Sequence, residues 1–222
     1  SFFSMEIVHT IDRQNNGMER IVTMTSNALS LFTKRRTQYA LGKELPVAEA
    51  EVEALIRQAI RIAPSAFNSQ SSRAVILFGA MHEKLWNITR ETLRPLVPAE
   101  AFGSTDAKMN GFAAGAGTVL FFEDQAVIEE LRKKFPLYAD AFPMFSEHSA
   151  GIAQFAVWTA LADIGIGASL QHYNPLIDAA VAEQWNLPAS WKLRAQMPFG
   201  ANLQPFPEKT FIADEVRFRT FR

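Results

Sequence analysis

The stretch Ala63-Pro64-Ser65-Ala66-Phe67-Asn68-Ser69-Gln70 separates a strongly periodic segment from a short apolar run. Proline cannot continue a helical hydrogen-bond ladder, and it disfavours helical backbone angles in the residue before it. The small polar residues that follow carry hydroxyl and carboxamide groups, which hydrogen-bond readily in loops. The stretch therefore predicts a polar loop between a helix and a strand. Such a loop is either an ordinary turn or one wall of a site for a planar, hydrogen-bonding ligand.

The segment before this loop has the periodicity of an amphipathic helix. Apolar side chains recur at three- and four-residue steps from Val52 to Ala63, and charged residues occupy the other positions. Pro46, which suits the first turn of a helix, opens the segment. The sequence therefore predicts a helix that stops at Pro64, so that the loop follows a helix C-terminus.

Short apolar runs elsewhere in the chain predict a small sheet. Their length and composition are typical of buried strands, and they lie at Ala74–Gly79, Thr118–Phe122 and Leu193–Gly200. Further helices are expected at residues 81–94, 125–135, 150–164 and 175–185, whereas residues 98–107 and 136–149 are expected to be loops. The tail from residue 202 to residue 222 alternates enough to add a strand. We expect one α+β or α/β domain over residues 24–222, with residues 1–23 as an N-terminal extension or a cloning remnant.

The composition restricts the class of function. The 222 residues carry a formal net charge of −1 and no cysteine. A near-neutral chain offers no electrostatic footprint for a polyanion, so nucleic-acid binding is not expected. The longest apolar run is too short for a membrane span. The absence of cysteine favours a cytoplasmic location over an oxidising compartment.

A cluster of cations follows a first helix, which Leu29, Leu31 and Phe32 predict from Ser26 onward. The sequence Arg35-Arg36-Thr37-Gln38-Tyr39 places two guanidinium groups and a hydroxyl next to each other. Cations at a helix C-terminus complement its dipole, and this explanation is sufficient for one basic residue. Adjacent arginines also bind phosphate or sulfate oxygens in a bidentate manner. Both interpretations stay open at this stage.

Two polar positions near predicted helices have structural interpretations. His82 lies at the start of the helix predicted at residues 81–94, where we expect a surface or capping role. Gln171-His172-Tyr173 precede Asn174 and Pro175, which are expected as the N-cap and the first residue of the next helix. The glycines at residues 111, 115 and 117 precede a strand rather than follow one. That order argues against a dinucleotide-binding fingerprint and favours close packing.

Taken together, four motifs resemble the nitroreductase family of flavoproteins. They are Arg35-Arg36-Thr37-Gln38-Tyr39, Pro64-Ser65-Ala66-Phe67-Asn68-Ser69-Gln70, the Gly-Ala-Ser-Leu run before Gln171-His172-Tyr173, and Met197-Pro198-Phe199-Gly200. The chain is most similar to the compact branch of fatty-acid-repression-mutant and copper-induced nitroreductase-like proteins. The resemblance implies an α+β fold with a small mixed antiparallel sheet surrounded by helices. It also implies an intertwined homodimer that binds two FMN molecules at its interface.

The resemblance implies roles for particular residues. Arg35 and Thr37 match positions that hold the FMN phosphate, where Arg36 is expected to assist, and the loop at residues 65–68 matches one that contacts flavin from the partner subunit. The segment at Gln171-His172-Tyr173 matches one whose backbone N–H reaches flavin N5. The full set of implied cofactor-binding residues is Arg35, Arg36, Thr37, Tyr39, Pro64, Ser65, Ala66, Phe67, Asn68, Gln70, Lys108, Gln171, His172, Tyr173 and Lys209.

Two departures from the family pattern concern charge near the flavin. Relatives often carry a cation two residues after the Ser/Thr position, whereas Tyr39 occupies that position here, and Lys108 is the candidate replacement. His172 replaces a glutamate near N5, either as a modulator of substrate preference or as a structural cap. Lys209 matches a C-terminal residue on the phosphate, a role that Arg217 or Arg219 could fill instead.

The implied function is an FMN-dependent oxidoreductase. It would use NADH or NADPH to reduce nitroaromatics, quinones or similar acceptors by ping-pong hydride transfer through N5, with aromatics from Phe135 to Phe145 above the pocket. The alternative is a flavin-binding regulatory or stress-response protein with little turnover. A hydrolase that pairs Ser65 or Ser169 with His148 or His172 is a further alternative, which the missing Gly-x-Ser-x-Gly motif disfavours.

Overall fold

The structure, a computed structural model, describes residues 26–222, so the predicted extension at residues 1–23 lies outside the described residues. Within that range the chain has an α+β arrangement. The helices are α1 (Asn27–Lys34), α2 (Glu49–Ile62), α3 (Gly79–Leu93), α4 (Phe102–Ala113), α5 (Gln125–Lys134), α6 (Phe142–Asp163), α7 (Asp178–Gln184) and α8 (Asp214–Arg217). The strands are β1 (Leu41–Gly42), β2 (Ser72–Phe78), β3 (Gly117–Asp124), β4 (Ile166–Ala168) and β5 (Trp191–Asn202).

The five strands form one antiparallel sheet, which confirms the predicted fold class. The strand order is β1-β5-β3-β2, and β4 also pairs with β5. All three predicted apolar runs lie in β2, β3 and β5, and β3 is buried along its whole length. A buried strand of this kind needs cover on both faces, which the helices provide.

The helices cover the two faces of the sheet in separate layers. Val119, Phe121 and Phe199 pack with α2 and α6 on one face. Leu120 and Phe122 pack with α3, α4 and α7 on the other. Alternate residues of β3 therefore enter different cores, as the two-residue period of a strand requires.

Gly117 shows why β3 begins with a residue that has no side chain. A Cβ atom at this position would lie 2.7 Å from the carbonyl oxygen of Leu77 and 2.5 Å from the ring of Phe199. No side chain fits there, because both contacts are far inside van der Waals distance. The close-packing interpretation is correct for Gly117, whereas a Cβ atom on Gly111 would meet nothing within 4 Å.

Two segments that were predicted to be loops are helical. Residues 102–107 of the predicted 98–107 loop form the helix α4 together with residues 108–113, although these include Gly103, Ser104 and Gly111, because Met109 and Phe112 are buried in the second core. Helix α6 begins at Phe142 rather than near Ala150. Pro143 does not interrupt it, because a proline in the first turn removes no intrahelical hydrogen bond. Tertiary packing therefore overrides weak helix propensity in both segments.

The predicted surface position of His82 is wrong. Its side chain is 1% exposed, Nδ1 lies 2.8 Å from Thr118 Oγ1, and Nε2 lies 3.2 Å from the carbonyl oxygen of Ala113. Trp86 Nε1 donates to the same threonine oxygen at 3.0 Å. The carbonyl requires a proton on Nε2, so the neutral ring accepts the threonine proton at Nδ1. These partners are distant in sequence, so the surrounding sequence pattern could not reveal them.

Asn174 does not cap α7, which begins four residues later at Asp178. Residues 174–177 form a turn instead, and Asn174 Oδ1 accepts a hydrogen bond from Gln196 Nε2 at 3.2 Å. The side chain that a cap would need is therefore already bound to β5. The tail also differs from prediction, because residues 203–222 pair with none of the strands in the described part of the chain and contain only the short helix α8. None of the helices in residues 26–222 has the length and hydropathy of a membrane span.

Candidate active site

The Arg35–Tyr39 segment leaves α1 along the side of α6. Lys34 Nζ donates to the carbonyl oxygen of Asp163 at 2.5 Å, so the end of α1 is fixed against the end of α6. The Arg35 guanidinium lies 4.4 Å from the centroid of the Trp158 ring, a cation–π geometry. Its Nε atom is buried without a hydrogen-bond acceptor among residues 26–222.

Neither Arg35 nor Arg36 forms an ion pair with a carboxylate among residues 26–222. Burial is the main cause that lowers the pKa of Arg35, and the charge of Arg36 lowers that pKa further. Arg36 donates to the carbonyl oxygen of Pro207 in the tail and lies 5.7 Å from the Phe206 ring. A dianion at this point would relieve the repulsion between the two guanidinium groups and supply an acceptor for Arg35.

The segment from Ala168 to Asn174 has one paired edge and one open edge. On the paired edge, N–H groups donate to β5: Ser169 to the Pro198 carbonyl at 3.2 Å and Gln171 to the Gln196 carbonyl at 2.7 Å. Tyr173 N–H donates to Gln196 Oε1 at 2.7 Å. Successive N–H groups of an extended chain point to opposite edges. Those of Leu170 and His172 therefore point away from β5, where no described residue accepts from them.

Thr37 lies on this open edge. Thr37 and Ala168 form a parallel bridge, and Gln38 N–H donates to the Ala168 carbonyl at 2.9 Å. Two adjoining segments thus carry, in order, the cations of Arg35 and Arg36, the Thr37 hydroxyl and the free N–H groups of residues 170 and 172. The end at residues 35–37 can bind an anion, and the end at residues 170–172 presents backbone donors.

Side chains in the predicted 171–173 motif point in different directions. Gln171 Nε2 donates to Ser169 Oγ at 3.0 Å, and His172 is exposed. Tyr173 packs edge-on against Trp86 at 6.0 Å in the second core, and burial raises the pKa of its hydroxyl to about 12. Tyr173 therefore contributes its ring to the second core and its N–H to the paired edge, and the backbone of His172 faces the open edge.

The predicted loop at residues 63–70 has an unusual backbone. Phe67, Asn68 and Gln70 have φ values of 56°, 50° and 49°, a region that non-glycine residues rarely occupy. Ala66 N–H donates to Ser149 Oγ of α6 at 3.1 Å, and Gln70 N–H donates to Ser65 Oγ at 3.0 Å. A strained backbone persists only where surrounding contacts hold it in place, and such strain is concentrated at functional sites.

Aromatic packing and a buried carboxylate hold this loop. The Phe67 ring contacts four aromatic rings from the region between residues 135 and 145, namely Phe135, Tyr138, Phe142 and Phe145. Glu123 is 0% exposed and accepts from Ser71 and Ser72 Oγ at 2.5 Å each and from Ser146 Oγ at 2.7 Å. The carboxylate thus links β3, α6 and the end of the loop.

The two groups of residues lie at different points of α6. The loop is attached at Ser149 and Arg35 at Trp158, nine residues further along an unbroken helix, which corresponds to about 14 Å. One chain therefore presents the loop and the cation cluster at two separate points of α6.

Comparison with known proteins decides the family. Residues 32–201 match the family model described as the nitroreductase family. The chain belongs to the nitroreductase family. The protein HBN1 of Saccharomyces cerevisiae is 40% identical to it over 190 residues, which cover 85% of this chain and 94% of HBN1.

Solved nitroreductase structures have the same fold. Nitroreductase CinD from Lactococcus lactis in complex with nicotinic acid is 49% identical, with a TM-score of 0.82 over 88% of this chain and 100% of CinD. A nitroreductase with bound FMN from Desulfitobacterium hafniense is 15% identical, with a TM-score of 0.65 over 90% of this chain and 100% of that protein. The latter likeness concerns the fold alone.

FMN, the cofactor that the nitroreductase resemblance implies, fits the residues present. A phosphate dianion matches the unpartnered Arg35 Nε and the adjacent guanidinium groups, and a planar ring with acceptor atoms matches the open N–H edge. Tyr39 is 63% exposed beside this edge. Lys209 follows Pro207, whose carbonyl binds Arg36, by two residues, and its ammonium lies 5.2 Å from the Phe211 ring.

Lys108 is placed apart from the other candidates for a nitroreductase site. It is exposed on α4, which packs on the face of the sheet opposite to α6. The structure of one chain therefore does not bring Lys108 to Arg35. The hydrolase alternative finds no support among residues 26–222, because Ser65 Oγ and Ser169 Oγ hydrogen-bond to Gln70 and Gln171 rather than to a histidine.

The sequence interpretation missed the residues that support the site. Gln196 holds the 171–174 segment, Glu123 and Ser146 hold the loop, and Ser149 binds the Ala66 N–H. Gln196 and Glu123 each interrupt or end an apolar strand, and this irregularity is the one signal that could have identified them.

Proposed function

We propose that this chain is an FMN-dependent oxidoreductase that uses NADH or NADPH to reduce nitroaromatics, quinones or similar small acceptors. The observation that carries the proposal is the open N–H edge at Leu170 and His172, which continues from Thr37 beside two adjacent arginines. A flavin mononucleotide presents a phosphate and a hydrogen-bonding ring in the matching order. CinD, which is 48% identical, has been solved with the nitroaromatics chloramphenicol and 4-nitrophenol.

The residues of the chain bind and orient the cofactor. Arg35 and Arg36 hold the phosphate, the Thr37 hydroxyl donates beside them, and Lys209 adds charge from the tail. FMN bound there would supply the redox chemistry, a transfer of reducing equivalents from the nicotinamide to the acceptor. The backbone N–H of His172 would donate a hydrogen bond to the flavin ring. The exposed His172 side chain is placed to contact whichever substrate lies over the ring.

We further propose an intertwined homodimer in which each FMN site has two half-sites. One is the cation cluster at residues 35–37 of one protomer, and the other is the loop at residues 65–68 of its partner. The separation of Ser149 from Trp158 on α6 supports this arrangement, since neither half-site is closed within one chain. An apolar groove of about 500 Å³ between α1, α2 and α6 includes the exposed side chains of Phe32 and Phe155. The tail also exposes several large apolar side chains, namely Phe211, Ile212, Val216, Phe218 and Phe221. Such surface is typical of an interface.

Flavin binding and turnover are tested on the purified protein. The expected result is a yellow preparation with a saturable FMN titration, whose flavin band bleaches when NADH or NADPH is added without oxygen. Rapid reduction of 4-nitrophenol would then support the enzyme. Binding without turnover on any nitroaromatic or quinone would favour the flavin-binding regulatory alternative, and a colourless protein that takes up no FMN would refute both.

The shared site is tested by mixing variants. Arg35→Ala and Asn68→Ala each damage both sites of a homodimer, because each site takes Arg35 from one protomer and Asn68 from the other. A heterodimer of the two variants contains one doubly damaged site and one intact site. Refolding the two together should therefore restore tight FMN binding at one site per dimer. No recovery in a verified heterodimer would contradict the shared site.

A further inference from the structure

Gln196 is a buried polar residue in the middle of β5. Its side chain is 0% exposed, and the neighbouring Ala195 and Met197 belong to the first hydrophobic core. Burial of a carboxamide is unfavourable unless its donor and acceptor are both used. The hydrogen bonds of the Gln196 side chain therefore show what the buried carboxamide supports.

Every hydrogen-bonding group of Gln196 is used by one short segment. Its backbone N–H donates to the Gln171 carbonyl at 2.9 Å, and its carbonyl accepts from Gln171 N–H at 2.7 Å. Oε1 accepts from Tyr173 N–H at 2.7 Å, and Nε2 donates to Asn174 Oδ1 at 3.2 Å. The backbone pairing ends at the isolated bridge between Gln171 and Gln196. Beyond that bridge, the side-chain oxygen takes the place of the next strand carbonyl.

The residue between the two anchored amides is His172. Because Gln171 N–H and Tyr173 N–H are both directed at Gln196, the alternation of an extended chain directs His172 N–H to the opposite edge. Without the side-chain bonds, the segment beyond Gln171 would be free to rotate toward the turn at residues 174–177. We propose that Gln196 is the positioning residue that aims the His172 N–H at the flavin ring. This inference rests on the proposed FMN site and specifies what keeps its ring donor in place.

Substitution of Gln196 tests the inference, with FMN labelled with ¹⁵N at N5 as the probe. Gln196→Met keeps the shape but removes both side-chain bonds, so the N5 resonance should shift toward its value without a hydrogen bond and the Kd for FMN should rise roughly tenfold. Gln196→Glu retains an acceptor for Tyr173 N–H, and the Asn174 amide can rotate to donate to it. This variant should keep the N5 resonance close to that of the unsubstituted protein.

A stability control separates positioning from folding. Thr89→Val removes a buried hydrogen bond within α3, from the Thr89 hydroxyl to the Leu85 carbonyl, and leaves every hydrogen bond of Gln196 in place. It should lower Tm while leaving the N5 resonance and the Kd unchanged. If Gln196→Met folds and binds FMN with the original resonance and Kd, the positioning role is refuted.

Hydrogen exchange in the unsubstituted protein provides a test that no folding defect can obscure. In FMN-free protein the amides of Gln171 and Tyr173 should exchange slowly and that of His172 at least about tenfold faster. Saturation with FMN should slow the His172 amide selectively. Equal protection of all three amides without FMN, or no response of His172 to bound FMN, would overturn the inference. If the protein binds no FMN at all, the proposed function fails instead.

Discussion

The guanidinium of Arg35 lies 4.4 Å from the centroid of the Trp158 ring, with its Nε atom buried and without an acceptor in the described part of the chain. The aromatic face fixes the cation in position without neutralising it, because a ring quadrupole attracts a cation but carries no charge. Arg35 is thus held in place and remains available to an anion.

Arg35→Ala should weaken FMN binding by roughly a hundredfold, since a charge-assisted bidentate contact is lost. Riboflavin, which lacks the phosphate, should bind equally to the variant and the unsubstituted protein. Fluorescence titration measures both affinities. Arg57→Ala is the matched control, because Arg57 is exposed on α2 and paired with Glu53. An equal loss of riboflavin binding in Arg35→Ala would show that the residue supports the fold rather than the phosphate.

The protein should be more stable with glycine at position 70 than with alanine. The φ of 49° at this position costs a side-chain-bearing residue about 1 kcal/mol, whereas glycine adopts it freely. Urea unfolding of Gln70→Gly and Gln70→Ala measures the difference. At Gln58, an exposed position of α2, the order should reverse by about 1 kcal/mol, because alanine is the better helix former. The same order at both positions would contradict the strained loop.

Glu123→Gln should lower the free energy of unfolding by about 2 kcal/mol, because a carboxylate that accepts three hydroxyl protons is replaced by an amide with a single acceptor oxygen. Ser146→Ala removes one of the three bonds and should cost about 1 kcal/mol. Chemical denaturation measures both values. Equal stability of Glu123→Gln and the unsubstituted protein would mean that the carboxylate does not hold the loop.

The protein should lose stability as pH falls from 7 to 5 partly because of His82. Desolvation is the main cause that lowers the pKa of His82, and the hydrogen bond from its ring to the Ala113 carbonyl and the charge of Glu83 oppose it. The folded ring stays neutral while the unfolded ring gains a proton below its ordinary pKa of about 6.5. The unfolded state then binds more protons, so stability falls with pH.

His82→Gln retains a donor and an acceptor for Ala113 and Thr118 but does not titrate. Its free energy of unfolding, measured by denaturation at a series of pH values, should therefore vary less between pH 7 and 5 than that of the unsubstituted protein. His148→Gln, at an exposed position of α6, serves as the control. If His82→Gln has the same dependence of stability on pH as the unsubstituted protein, His82 does not cause the loss of stability.

Phe155→Glu should convert the proposed dimer to monomers, because it places a charge on the exposed apolar face of α6. Sedimentation velocity measures the change. The Phe155 ring also lies 6.0 Å from the Arg35 guanidinium, so the assembly state rather than the FMN affinity is the deciding measurement. Glu147, on the same helix, binds Arg194 within its own chain, so Glu147→Gln should leave the assembly intact. A dimer in Phe155→Glu that retains its stability would exclude this face as the interface.

The sequence predicted those parts of the fold that local pattern determines. The apolar period of α2, the stop at Pro64 and the apolar strands β2, β3 and β5 were all recognisable. Helix α4 was missed because glycine and serine mask a helix that is stabilised by burial of Met109 and Phe112. The start of α6 was missed because Pro143 and the aromatic residues around it resemble a loop.

The sequence predicted those parts of the candidate site that short motifs contain. It did not predict the residues that support the site through contacts between distant segments. Arginines beside a hydroxyl and a carboxamide loop after a proline are visible in a linear sequence. The partners of Gln196 lie more than twenty residues away from it, and those of Glu123 lie up to fifty-two residues away. Such contacts depend on strand register, which a single sequence does not specify.

One helix carries the attachment points of both half-sites, with Ser149 and Trp158 on the same uninterrupted α6. Each residue added to or removed from the interval between them would rotate one attachment point by about 100° relative to the other. This interval can therefore tolerate many exchanges of amino acid, but insertions and deletions within it should be rare among functional homologues.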